Sequence, residues 1–186
     1  AVLDVNGLNA GTFNLGSGQT LRGTGTVDGN LTGSGSVAPG DGVGLLGVLT
    51  IDGDFTPTGS VVFDVNPPSS AAGTDYDQIV VNGVLDLSGA RLMFSGTTGT
   101  VASNQVVTLI ANDGGEVTGA ATNYAQGAIV NIGDNDYQIF YAGGNGNNDV
   151  ILIEATPVGV VYVDDSWSLL DAGNDVPDAD LGRAGA

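Results

Sequence analysis

The sequence predicts an all-β fold, a right-handed parallel β-helix (β-solenoid) with a β-rich C-terminal cap. The first observation behind this is a recurring phrase: Val5-Asn6-Gly7, Val27-Asp28-Gly29, Ile51-Asp52-Gly53 and Val81-Asn82-Gly83, with glycines 22, 24 and 30 residues apart. Periods in that range mark stacked supersecondary units. The second is that Val, Ile, Leu and Thr alternate in short runs with almost no 3.6-residue pattern, which suits a pleated, half-buried surface. The third is 32 glycines without a Gly-X-Y period, so the chain turns often and is not collagenous. Asn-Gly and Asp-Gly tolerate positive φ, so the phrase is expected to mark one corner of successive coils.

The elements follow in order. Short strands are expected at 1–5, 11–15, 20–21, 25–27, 30–32 and 36–38. Strands this short hold together only if each coil pairs with those above and below at roughly 4.8 Å. A coil of about 22 residues would hold three of them, and parallel crossovers set the right hand. Val37-Ala38-Pro39-Gly40-Asp41-Gly42 breaks the pattern as a loop, and strands resume at 45–55 and 60–65. Asn66-Pro67-Pro68-Ser69 opens the longest loop, which accounts for the 30-residue step, and 75–81 rejoins the stack. Beyond Leu87 the phrase fades and longer strands are expected at 91–94, 105–111, 128–132, 137–141 and 149–154. The last two form an antiparallel hairpin around 142–148 that caps the open core. A short strand at 160–163 and a single turn capped by Ser166 and running through Leu170 precede an extended tail. The divisions are therefore 1–87 for the coils, 88–155 for terminal coils and capping hairpin, and 156–186 for an acidic tail or linker. About seven coils at roughly 4.8 Å each would give a rod on the order of 30 Å. The alternative is an antiparallel β-sandwich, since the same dipeptides make hairpin turns. Strand direction separates the two: a β-helix stacks Val27, Ile51 and Val81 in parallel.

Charge excludes several partners. Twenty-one acidic residues face three basic ones, Arg22, Arg91 and Arg183, for a net charge of -18 with no lysine or histidine. Nucleic acid and anionic bilayers need clustered cations, so neither is an expected partner. All but Glu116 and Glu154 of the acids are aspartates, many beside Gly or Asn, as turn chemistry requires. Cysteine is absent, which removes disulfides and thiolate chemistry, and missing lysine removes isopeptide crosslinks and Schiff bases. No apolar run nears the ~20 residues of a membrane span, so this segment is not expected to insert; an export signal or anchor would lie outside it.

The segments LRGTGTVDGNLTGSGSVAPGDGVGLLGVLTIDGDF, DYDQIVVNGVLDLSGARLMF and DYQIFYAGGNGNNDVILIEA resemble the autotransporter-associated β-strand repeat. The resemblance covers residues 1–155 and implies a passenger-like β-helical region of a large secreted bacterial surface protein. It implies an exported, cell-surface stalk with no shared catalytic residues, joined to other segments of a longer parent chain. The membrane β-barrel of a complete autotransporter is missing from this sequence. The tail VVYVDDSWSLLDAGNDVPDADLG resembles the start of another β-helical segment.

Candidate sites are weighed against structural roles. Gly143-Gly144-Asn145-Gly146-Asn147-Asn148-Asp149 is similar to one calcium-binding nonapeptide, but Asp149 falls one residue late and the repeat is single. A second calcium candidate is the tail, with Asp164, Asp165, Asp171, Asp175, Asp178 and Asp180, although it lacks an EF-hand's glycine and bidentate glutamate. Calcium is thus the one cofactor considered, on Asp149, Asp175, Asp178 and Asp180. Asp75 with Asp77 and Asp52 with Asp54 are placed on one strand face, where two carboxylates could act as a glycosidase acid and base. A lyase would want a proton-abstracting base, and arginine stays protonated. Tyr76, Tyr124, Tyr162 and Trp167 could form a sugar-stacking platform. The expected function is a non-catalytic stalk or spacer; an adhesive or glycan-binding module, calcium-stabilised or not, comes second and a polysaccharide-active enzyme third.

Overall fold

The computed structural model describes residues 1–42 and 44–155; the expected tail features of 156–186 lie outside them. The described residues contain strands and no helix. The first nine strands are β1 (Val2–Asp4), β2 (Thr12–Leu15), β3 (Thr20–Gly23), β4 (Thr26–Asp28), β5 (Asn30–Gly33), β6 (Ser36–Pro39), β7 (Val48–Ile51), β8 (Phe55–Pro57) and β9 (Ser60–Asp64). After them come β10 (Gln78–Val81), β11 (Arg91–Ser95), β12 (Val106–Asn112), β13 (Ile129–Ile132), β14 (Asn135–Gly143) and β15 (Asp149–Glu154). The chain deals the first nine strands to three sheets in rotation. The first sheet runs β1-β4-β7-β10-β12-β15-β14-β13, the second β2-β5-β8, and the third β3-β6-β9-β11.

Pairing is parallel throughout the second and third sheets and from β1 to β12 in the first. Val27 lies beside Ile51 and Ile51 beside Val81, so these phrases do not build the antiparallel sandwich. The first sheet turns antiparallel where β15 joins β12, and β13, β14 and β15 continue so. It therefore contains five parallel strands rather than seven, because after Asn112 the chain makes only one more parallel bridge, Thr118 beside Asp86, before β13 begins the antiparallel part. The hairpin expected between 137 and 154 is present, with β14 paired to β15.

Register corrects the reading of the repeat at both ends. Leu3 and Asp4, not Val5 and Asn6, lie beside Val27 and Asp28, so the first step is 24 residues rather than 22. Val5 is instead fully buried, and its carbonyl accepts the Leu8 N–H at 2.9 Å, closing a turn over Asn6-Gly7. At the other end the phrase does not stop at Gly83: Asn112-Asp113-Gly114 continues it, with Val81 beside Asn112 and Asp113 N–H donating to Val81 O at 2.9 Å. Sequence concealed this copy because Asn112 occupies an apolar position. Its buried amide is satisfied locally, Nδ2 donating to Gly115 O at 2.5 Å and Oδ1 accepting from Gly114 N–H at 3.2 Å.

The glycines of the phrase are required for a different reason from the expected one. Only Gly29 has a positive φ, at 125°, whereas Gly53, Gly83 and Gly114 do not. They stack: a Cβ on Gly53 would lie 2.6 Å from the carbonyl of Gly29, and one on Gly83 would lie 2.5 Å from the oxygen of Gly53. Close approach of successive layers, not backbone handedness, selects glycine here.

Alternation fills the interior. Val27, Ile51 and Val81 of the first sheet, Leu31 and Phe55 of the second, and Val61, Phe63 and Leu92 of the third are all buried. Removing this aliphatic column from water is the main favourable term of the fold. Phe63 also stacks on Phe94 with centroids 6.2 Å apart.

Connections between sheets are unequal. From the first sheet to the second the chain uses residues 5–11 after β1, but after β4 and β7 only residue 29 and residues 52–54, passing the glycine column. From the third sheet back to the first it uses residues 40–47, 65–77 and 96–105 in successive layers. The longest connections beyond the first layer, including the Pro67-Pro68 loop, collect at that one corner.

Candidate functional site

The corner between the third and first sheets also holds the most unusual ionisable group. Asp77 is 1 % exposed. Its Oδ1 accepts the Gly47 N–H at 2.8 Å and its Oδ2 the Asp64 N–H at 2.9 Å, while its own N–H donates to Asp64 O at 2.8 Å. The carboxylate thus ties the start of β7 to the end of β9. Burial pushes its pKa up to about 6, against the backbone donors of Asp64 and Gly47, with the Asp64 charge adding to the rise and Arg22 opposing it. Asp64 is itself occupied, Oδ2 accepting the Gly44 N–H at 3.1 Å and Oδ1 accepting Ser95 Oγ–H. Arg22 donates to Gly42 O at 3.3 Å.

The expected pairings of carboxylates do not form a cleft. Asp75 and Asp77 do not share a strand face, since Asp75 lies half-buried in a turn and Asp77 is buried. Asp75 Oδ2 accepts the Ser70 N–H at 3.0 Å, Ser70 Oγ–H at 2.7 Å and the Ala71 N–H at 3.0 Å, and these bonds hold its pKa below the usual value. Asp52 and Asp54 flank the glycine corner between β7 and β8, outside either strand. Asp52 Oδ1 accepts Asn82 Nδ2–H at 2.6 Å, and Asp54 Oδ1 accepts the Val84 N–H at 2.8 Å. Each acid therefore binds the next layer.

The loop at 143–149 behaves similarly. Asp149 Oδ1 accepts the Asn112 N–H at 3.0 Å, and Asn148 Nδ2–H donates to Asn112 O, so both residues fasten the hairpin to β12. Asn148 Oδ1 is buried without a partner. Among the described residues no three His, Cys, Asp or Glu side chains group as a metal site would need. The calcium candidates Asp164, Asp165, Asp171, Asp175, Asp178 and Asp180 lie outside the described residues, as do Tyr162, Trp167 and Arg183.

The aromatic platform is not assembled from its two described members. Tyr76 is buried, and the half-buried Tyr124 packs on Phe94 with centroids 5.6 Å apart, so the two do not share an exposed face. Arg91 is exposed on β11. A recess of about 380 Å³ opens beside β1, lined by Ala1, Val2, Leu3, Leu21, Arg22 and Asp41 among others. A second of about 200 Å³ lies on the outer face of the second sheet, walled by Thr32, Thr56, Asp86 and Ser88.

Asp77, expected on a strand face with Asp75 as one of a carboxylate pair, is instead a buried clamp. Phase was the available signal: Asp77 precedes Ile79 and Val81 at two-residue steps, so it falls on their inward face. No helix of the described residues is long and apolar enough to cross a membrane. Comparison of the chain with protein-family models finds no match, and neither does comparison with curated protein sequences.

Proposed function

We propose that the chain is a segment of a right-handed parallel β-helix and serves as a non-catalytic stalk or spacer in an extracellular bacterial surface protein. The observation that carries this reading is where the polar side chains are used. Asn30, Asp52, Asp54, Asp64 and Asp77 each accept a hydrogen bond from another layer or loop of the stack, so these side chains are committed to holding it together. Rotation of the first nine strands through three sheets, with parallel pairing from β1 to β12 in the first and throughout the other two, supports the helical architecture. The partners of such a segment are neighbouring turns of a longer parent chain. The first layer suits that role, since β1 is an edge strand and its Val2 and Leu3 remain exposed.

Insertion of extra turns tests the reading. Four tandem copies of residues 28–51 placed after Ile51 should leave a folded protein whose longest dimension grows by about 20 Å in solution scattering. Unfolding, or growth in a direction other than along the stack, would count against it, as would turnover of any polysaccharide in a substrate panel. The hydroxyl-lined recess of Thr32, Thr56, Asp86 and Ser88 favours a second reading, an adhesive module that binds glycans. Saturable binding on a glycan array, abolished by Asp86→Ala, would select it.

A further inference from the structure

The three Asn-Gly dipeptides sit in contrasting surroundings. Asn-Gly is the pair most prone to cyclise, because glycine puts no side chain in the way of its own amide nitrogen. Cyclisation needs that nitrogen free to attack and the asparagine side chain free to rotate toward it.

Asn82-Gly83 has neither freedom. Gly83 N–H donates to Gly53 O at 3.1 Å, and Asn82 Nδ2 donates to Asp52 Oδ1 at 2.6 Å. Gly83 also lies so close to the layer beneath that a Cβ would come 2.6 Å from Asp54 Oδ1. Asn6-Gly7 is the reverse. It forms the centre of the turn closed by Leu8 N–H on Val5 O, and no atom lies within 4 Å of the position a Gly7 Cβ would take. Among the described residues the Gly7 N–H and the Asn6 side chain have no hydrogen-bond partner. Asn145-Gly146, exposed in the loop between β14 and β15, likewise has no partner for the Gly146 N–H among the described residues.

We infer that Asn6 and Asn145 are sites of spontaneous modification to aspartate and isoaspartate, and that stacking protects Asn82. The Gly7 or Gly146 amide nitrogen attacks Cγ of the preceding asparagine, forming the N–Cγ bond of a succinimide. The Cγ–Nδ2 bond breaks, and Nδ2 leaves as ammonia with the proton from the glycine nitrogen. Water then opens the ring at either carbonyl, adding hydroxyl to carbon and hydrogen to nitrogen. Opening at Cγ gives aspartate; opening at the asparagine carbonyl carbon routes the main chain through the side chain. No oxidant or metal takes part. Each event adds one carboxylate to a chain already at -18. At Asn6 the new charge arises two residues from Asp4, beside the open edge of β1.

Peptide mapping by mass spectrometry after incubation of the full chain at mildly alkaline pH reads the outcome, with isoaspartate separated by its fragmentation. Asn6 and Asn145 should convert, and Asn82 should convert about 30-fold more slowly, the factor from holding two further hydrogen bonds. In denaturing urea all three should convert at similar rates. Asp52→Ala removes one restraint and should speed Asn82, while Gly7→Ala, for which there is room, should slow Asn6 alone. Equal rates at Asn6 and Asn82 in the folded chain would overturn the inference. So would slow conversion of Asn82 persisting in urea, since protection would then not come from the stack.

Discussion

Substitution of Gly83 by alanine separates close stacking from turn conformation as the reason for glycine in the repeated phrase. A Cβ there would contact the Gly53 carbonyl carbon, lie 2.5 Å from its oxygen and 2.6 Å from Asp54 Oδ1. These are atoms of backbone and of a hydrogen-bonded side chain, so the layers must part. Parting them weakens two bonds at the same point, Gly83 N–H to Gly53 O at 3.1 Å and Val84 N–H to Asp54 Oδ1 at 2.8 Å. Two hydrogen bonds at about 1 kcal/mol each, with overpacking of about 1–3 kcal/mol, give a loss of roughly 3–5 kcal/mol. For a chain of this size that lowers Tm by about 6–20 °C. Gly7→Ala is the matched control, since Gly7 has open space and no positive φ. Where alanine fits, it stabilises by about 0.4–1 kcal/mol through loss of freedom in the unfolded chain. The two substitutions are thus expected to differ in sign. Thermal and urea unfolding of both variants measure it. A Gly83→Ala protein as stable as the Gly7→Ala protein would refute close stacking as the basis of the phrase.

Further expectations concern charge, core and metal. Asp77 has a folded pKa raised from 3.8 to about 6, so its contribution is fullest below the unfolded value and is lost as pH rises. Stability should therefore fall across pH 4 to 6 by up to about 3 kcal/mol, and Asp77→Asn should flatten that part of the urea-unfolding profile; an unchanged slope would contradict it. Phe55→Ala, at a fully buried ring of β8, should cost about 3–5 kcal/mol in the same assay, whereas Leu45→Ala at an exposed side chain should cost little. Millimolar calcium should leave the Tm unchanged in differential scanning fluorimetry, because Asp149 already accepts the Asn112 N–H. A saturable rise would instead favour a calcium-stabilised adhesive module.

Much of the fold was legible because its signals are local. Two-residue alternation located β4, β7, β9 and β10, and the Asp-Gly phrase tied three of their layers together in the correct parallel order. Register at the ends was not legible, because it depends on what lies across the sheet. Val5 resembles a strand residue but turns inward, and Asn112 resembles a turn residue but occupies a core position. The acids were harder still. Asp52, Asp54, Asp75 and Asp77 are alike in sequence, and only their partners in other layers distinguish a turn cap from a buried clamp. Tyr76 was misread for a related reason: its place before a buried aspartate at the corner covers it, although its neighbours are polar.

The unequal corners have a consequence for how such a chain can change. Inserted residues at the short turns past the glycine column would break contacts in two layers at once. Residues added in 40–47, 65–77 or 96–105 enter connections that already vary in length from one layer to the next. Lengthening a closed surface loop costs only about 0.6 kcal/mol per doubling. One longitudinal seam can therefore absorb insertions while the strands keep their order, which makes it the place to graft a foreign peptide for regularly spaced display.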